Sequence, residues 1–185
     1  TALMYAAQEG HERVVDLLLQ RGAEINKQDS DGATALMRAA RQGYERVVGL
    51  LLQRGAEANL QDSGGITALM YAAGNGRERV VELLLQHGAE INLQDSVGGT
   101  ALMGAAGNGH ERVVNLLLRH GAGINLQNNN GDTALMLATY SGHERVVELL
   151  IRHGAEINLQ SSIGNNALML AAQEGHDLVV ELLLQ

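Results

Sequence analysis

Seven histidines, a recurring threonine, scattered serines and paired glutamates are the residues of this chain whose types could do chemistry. A metal centre needs three or four ligands converging on one ion at about 2 Å. His11, His110, His143 and His176 each follow a glycine, and His87, His120 and His153 each precede one. His110 and His120 stand ten residues apart in sequence, roughly 15 Å along a helix, so they cannot share an ion. The histidines therefore read as scaffold with capping or dipole roles at helix ends, and no metal or cofactor is expected. Nucleophilic catalysis needs a hydroxyl held by a base that a third group orients. Ser30, Ser63, Ser96, Ser161 and Ser162 lie in turn segments with no histidine fixed nearby. Glu78 and Glu82 are paired, but at i and i+4 on a solvated helix face. Gly64-Gly65 and Gly98-Gly99 lack the lysine with which a phosphate-binding loop opens its helix. The chain is expected not to be an enzyme.

Composition narrows the partners. Thirteen Lys and Arg against twenty-one Asp and Glu give a net charge of −8 over 185 residues, which disfavours phosphate backbones and anionic lipid surfaces. Lys27 is the sole lysine, so the cations are guanidinium forks suited to carboxylates. There is no Cys, Pro, Phe or Trp, and the aromatics are Tyr5, Tyr44, Tyr71 and Tyr140. Without Phe or Trp the core must be Leu, Val, Ile, Met and Ala, which suits many thin layers. No apolar run approaches the roughly 18 residues of a membrane span, and the chain opens at Thr1 without a signal-like run. A soluble, intracellular and cytoplasmic protein, bound to neither membrane nor nucleic acid, is expected.

The elements that position these residues repeat. Thr-Ala-Leu-Met recurs at Thr1, Thr34, Thr67, Thr100 and Thr133, and Asn166-Ala-Leu-Met follows at the same interval of 33. The chain divides into units 1–33, 34–66, 67–99, 100–132, 133–165 and 166–185, one repeat domain without remainder. In the first, Thr1 caps a short helix whose apolar face is marked by Leu3, Ala6 and Ala7, and Gly10 closes it. Glu12 opens a second helix carrying Val14, Val15, Leu17, Leu18 and Leu19, and Gly22 stops it. The segment to Gly32 makes a projecting turn. Two short helices cannot bury both faces alone, so the units must stack.

Thr-Ala-Leu-Met-Tyr-Ala-Ala from Thr1, Gly-His-Glu-Arg-Val-Val from Gly10, Leu-Leu-Leu from Leu17 and Gly-Ala-Glu-Ile-Asn from Gly22 resemble the ankyrin repeat over the whole chain. The resemblance implies an all-α solenoid of helix-turn-helix units with short projecting hairpin loops, and a protein-interaction module that binds a protein or peptide in a concave groove. The family has Thr-Pro-Leu-His where this chain has Thr-Ala-Leu-Met. Met4, Met37, Met70, Met103, Met136 and Met169 are expected to fill the vacated space, with looser polar bonding between units. The positions that vary are, on the resemblance, those lining the groove: Tyr5, Arg38, Arg41, Ile66, Tyr71, Val97, Leu137, Tyr140, Ile163 and Leu170. Only the second unit is net positive, and Arg38 and Arg41 are expected to clamp an acidic segment of the partner. Gly104 and Gly107 should leave a shallow saddle beside them.

The resemblance also implies that Asn26, Asn92, Asn125 and Asn158 are targets of an asparaginyl hydroxylase, Asn59 being a poorer one because Ala58 precedes it. Against this, each Asn is expected to hold its own turn by side-chain to backbone hydrogen bonds. The rival functions are a structural role, with arrays stacking end to end through uncapped termini, and a designed or duplicated scaffold without a dedicated partner. Gly49, Gly104 and Gly107 within helices, each costing roughly 1 kcal/mol against Ala, favour natural duplication over design.

Overall fold

The computed structural model describes every residue, Thr1–Gln185, and is built from α-helices and turns without a strand. The helices come in pairs: α1 (Ala2–Gln8) with α2 (Glu12–Gln20), α3 (Ala35–Gln42) with α4 (Glu45–Gln53), and α5 (Ala68–Gly74) with α6 (Glu78–Gln86). α7 (Ala101–Gly107) with α8 (Glu111–Arg119), α9 (Ala134–Tyr140) with α10 (Glu144–Arg152), and α11 (Ala167–Glu174) with α12 (Asp177–Leu183) continue the series. Odd-numbered helices pack on one another in a front row and even-numbered helices form a second row behind them. This is the expected all-α solenoid.

Each front helix starts where a side-chain oxygen can take up an orphan amide. Thr34 Oγ1 accepts from the Met37 amide at 3.3 Å, and Thr1, Thr67, Thr100, Thr133 and Asn166 cap in the same way. In two units the methionine answers, its Sδ accepting from the backbone N–H of Thr34 or the terminal ammonium of Thr1. The methionines at these positions are buried in units 1, 2, 4 and 5, whereas Met70 is half-buried and Met169 is 50 % exposed, because α11 has a front-row neighbour on one side only.

The core runs between the rows. Leu36, Leu69, Leu102 and Leu135 from the front and Val48, Val81, Val114 and Val147 from behind are buried, each worth about 1.5–3 kcal/mol. Neighbouring units share this burial, so stability is a nearest-neighbour property. At the two ends other apolar side chains are uncovered: Val14 and Leu17 on α2, and Leu178 and Leu184 at the other end, are exposed.

Polar joints between units are dense, contrary to the looser bonding expected. His110 does not cap its helix; its Nε2–H donates to the Gly74 carbonyl of the preceding unit at 3.0 Å. His143 and His176 reach Gly107 and Tyr140 in the same way. The ring fits because the glycine beneath it has no Cβ: one added at Gly76, whose φ is +68°, would lie 2.6 Å from His110 Nδ1. His87, His120 and His153 do serve helix ends, each Nδ1–H donating to the carbonyl four residues back at 2.9 Å. A glutamine ladder adds to the joints. Gln28, Gln61, Gln94 and Gln127 each donate within their own turn and to the backbone carbonyl of the next glutamine along.

The asparagines behave differently from the expected turn-holders. Asn26 bridges to the next unit, its Nδ2 donating to Glu57 Oε1 and its Oδ1 accepting from the Glu57 amide, both at 2.9 Å. Asn125 pairs with Glu156, and Asn59 with Glu90, in the same manner. Asn92 accepts from the Gly123 amide at 2.7 Å, and Asn158 has no such partner.

Candidate functional site

The front face is built from the exposed side of the odd-numbered helices and the tips of the turns that precede them. Each tip is fixed by one acceptor. Asp29 Oδ1 accepts from the amides of Asp31 and Ala33 at 3.0 and 2.9 Å, and Asp62 Oδ1 accepts from Gly64 and Ile66 at 2.9 Å. This is the Asx turn to which a short carboxylate is suited. The second oxygen reaches nine residues on, to the next front helix. Asp29 Oδ2 pairs with Arg38 Nη2 at 2.6 Å, and Asp62 Oδ2 accepts from the Tyr71 hydroxyl at 2.6 Å.

These contacts decide which groups can act on a partner. Arg38 is held by Asp29 and also donates to Gln8, so it is a clasp between units 1 and 2 rather than half of an acid-binding clamp. The hydrogen bond from Arg38 holds the Asp29 carboxyl below its ordinary value, and those from the turn amides add to this. Burial, then the hydrogen bond to Asp62, pushes the Tyr71 hydroxyl up to about 12, so Tyr71 remains a donor through the physiological range. Arg41 is different: it is exposed, makes no ion pair, and its guanidinium lies over the Tyr71 ring, 5.8 Å from the centroid.

Around Arg41 the face sinks into a cleft of about 590 Å³, walled by Arg38, Arg41, Tyr71, Ile66, Asp31, Asp62 and Ser63 among others. A second cleft, about 520 Å³, adjoins it and shares Ile66 and Tyr71 as a wall. Its floor is Gly74 and Gly104, its far side Leu137 and Asn108, and its turn-side lip Asp95. The saddle expected at Gly104 is therefore a cleft. Asn108 spans it, donating to the carbonyls of Gly74 and Gly104 at 3.1 and 3.0 Å.

Of the residues singled out from the sequence, Arg38, Arg41, Ile66 and Tyr71 come together in the first cleft, and Leu137 closes the second. Tyr5, Val97, Tyr140 and Ile163 are exposed and line neither cleft, Ile163 at 80 %. Leu170 is half-buried on α11. Asp29, Asp62 and Asp95 were not among the candidates. Their signal was the recurrence of an acceptor four residues ahead of each capping position's predecessor, which reads as plain turn chemistry until the second oxygen is located. No three His, Asp or Glu side chains converge as a metal would require, and no helix is long and apolar enough to cross a membrane.

A family model described as ankyrin repeats (3 copies) matches residues 3–95, 36–128 and 102–185 of the chain. A comparison with curated proteins gives no match.

Proposed function

The chain belongs to the ankyrin repeat family, whose arrays are in general protein–protein interaction modules, and from that premise we propose that it binds an extended segment of a partner protein along its front groove, without chemistry of its own. One observation carries the reading: Arg41, without an ion-pair partner and poised over the Tyr71 ring, stands in the wall of the 590 Å³ cleft. A guanidinium attracted to an aromatic face keeps its forked donors free for a carboxylate, and Arg and Tyr are frequent hot-spot residues. The acidic group of the partner docks on Arg41 alone, since the terminal nitrogens of Arg38 are already engaged by Asp29 and Gln8. Tyr140, Leu137, Val97 and Ile163 extend the contact as apolar surface. Affinity capture with the folded chain as bait, read by mass spectrometry against an Arg41→Glu, Tyr71→Ala bait, tests this: a partner retained by the first and lost by the second is expected, and equal recovery on both baits contradicts it.

A second reading rests on the exposed Val14 and Leu17 at one end and Met169, Leu178 and Leu184 at the other. Val14, Leu17, Met169 and Leu184 stand at indices that are covered wholly or in part within the array, and Leu178 replaces an exposed arginine of the other units, so a second copy can stack end to end. Sedimentation showing only monomer across a wide concentration range eliminates it.

A further inference from the structure

The tip acceptor and the fifth residue of the following unit form a series of pairs: Asp29 with Arg38, Asp62 with Tyr71, Asp95 with Gly104, Asn128 with Leu137, and Ser161 with Leu170. Where the front helix offers a donor, the tip carries a carboxylate and the two bond at 2.6 Å. Where it offers leucine, the tip is neutral, and Asn128 Oδ1 or Ser161 Oγ still accepts from its own turn. Asp95 alone breaks the rule. Its Oδ1 accepts from the amides of Val97 and Gly99 at 3.0 and 2.7 Å, as the others do, but position 104 has no side chain and its Oδ2 has no partner. That oxygen sits on the lip of the 520 Å³ cleft, whose floor is the space a fifth side chain would have filled.

We infer that this cleft receives a basic side chain, arginine foremost, from the partner segment, which supplies to Asp95 the donor that Arg38 supplies to Asp29. The first pair shows that a guanidinium satisfies this acceptor at this index. A carboxylate that has lost its internal partner at the edge of an open cleft gains more from an incoming cation than one already paired. The two clefts share the Ile66 and Tyr71 wall, so one extended segment places an acidic group on Arg41 and a basic group on Asp95. The bound segment is therefore dipolar, with a fixed direction along the array. This rests on the groove reading above and adds the chemistry of its second anchor.

Selection of a displayed random linear peptide library on the folded chain tests the inference, with Asp95→Asn, Gly104→Arg, Gly104→Ala and Arg41→Glu chains selected in parallel. Gly104→Arg rebuilds the Asp29–Arg38 pair between units 3 and 4. A Cβ at this position meets Gly74 Cα at 3.6 Å, an ordinary contact, and the rest of the side chain has the adjoining cleft open to it. The wild type is expected to enrich segments with Arg or Lys at one position. That preference disappears with Asp95→Asn and with Gly104→Arg, and an enriched segment binds Asp95→Asn about tenfold more weakly. Gly104→Arg should also melt higher than Gly104→Ala, by the pair it gains; a lower midpoint means that the guanidinium does not satisfy Asp95 and overturns the premise. Segments enriched without a basic residue, yet lost with Arg41→Glu, overturn the second anchor and leave the groove standing. Enrichment that none of the variants alters, or no enrichment at all, overturns both.

Discussion

Arg38→Leu removes the clasp between the first two units without touching the core. The ion pair to Asp29 is only partly exposed, the two side chains at 31 % and 18 %, so it is worth more than a surface pair, for which 0–1 kcal/mol is typical. A charge-assisted hydrogen bond contributes about 1.5–3 kcal/mol when shielded, and the residual solvent access lowers that to about 1–2 kcal/mol. The variant leaves Asp29 Oδ2 unanswered, and the cost is expected in that range. Adding Asp29→Asn should restore most of it, because Asn128 with Leu137 is the same neutral pair already used by this chain. The effect has a pH signature. Arg38 holds the folded-state carboxyl of Asp29 below 3.8, so the pair's contribution is complete above that pH and is lost as pH falls through the lower folded-state value. Urea unfolding of wild type, both single variants and the double variant, at neutral pH and in acid, measures all of this as shifts of midpoint at unchanged slope. Single-variant costs that simply add in the double variant, or an Arg38→Leu loss as large in strong acid as at neutral pH, would refute the clasp.

Gly76→Ala places a Cβ at φ +68° and 2.6 Å from the His110 ring, and should cost about 2–3 kcal/mol from backbone strain and the lost inter-unit hydrogen bond, with amide exchange accelerated in α6 and α8 first. Thr139 carries a buried hydroxyl without a partner where Ala40, Ala73 and Ala106 stand in other units; Thr139→Val keeps the shape, loses the hydroxyl and should raise stability by about 1 kcal/mol, a drop in the melting midpoint being the contrary result. For the asparaginyl hydroxylation proposed at Asn26, Asn92, Asn125 and Asn158, Asn158 should react first, since Glu57 and Glu156 hold the amides of Asn26 and Asn125. Intact mass after incubation with such an enzyme and its cosubstrates should rise by one oxygen per site, and an unchanged mass ends that proposal.

The repeat length, the paired helices and the Thr caps were legible because each rests on local chemistry: a hydroxyl before a helix, a glycine after it, apolar residues at helical spacing. The front-face positions were legible for a similar reason, as the ones that change while the core indices stay fixed. What the letters hid was the second half of each polar contact. His110 after Gly109 reads as a helix-end residue, and only the stacking shows its Nε2 at a carbonyl 36 residues away. Arg38 and Arg41 look equivalent three residues apart, yet one turns toward Asp29 and the other onto Tyr71. Inter-unit bonds at sequence separations of 31 to 36 have no local signature, so the glutamine ladder and the asparagine bridges stayed invisible until neighbouring units were in place.

The central claim is that binding belongs to the front groove. The most direct measurement is the affinity of the captured partner segment, by calorimetric titration, for wild type, Arg41→Glu, Tyr140→Ala and the rear-row variants Glu82→Ala and Glu148→Ala. Arg41→Glu should weaken binding in a manner that salt diminishes, Tyr140→Ala should cost about 1–3 kcal/mol with little salt dependence, and the rear-row changes should leave affinity almost unaltered. Loss of binding with Glu82→Ala or Glu148→Ala, while Arg41→Glu and Tyr140→Ala bind as the wild type does, would place the interface on the opposite face and contradict the account.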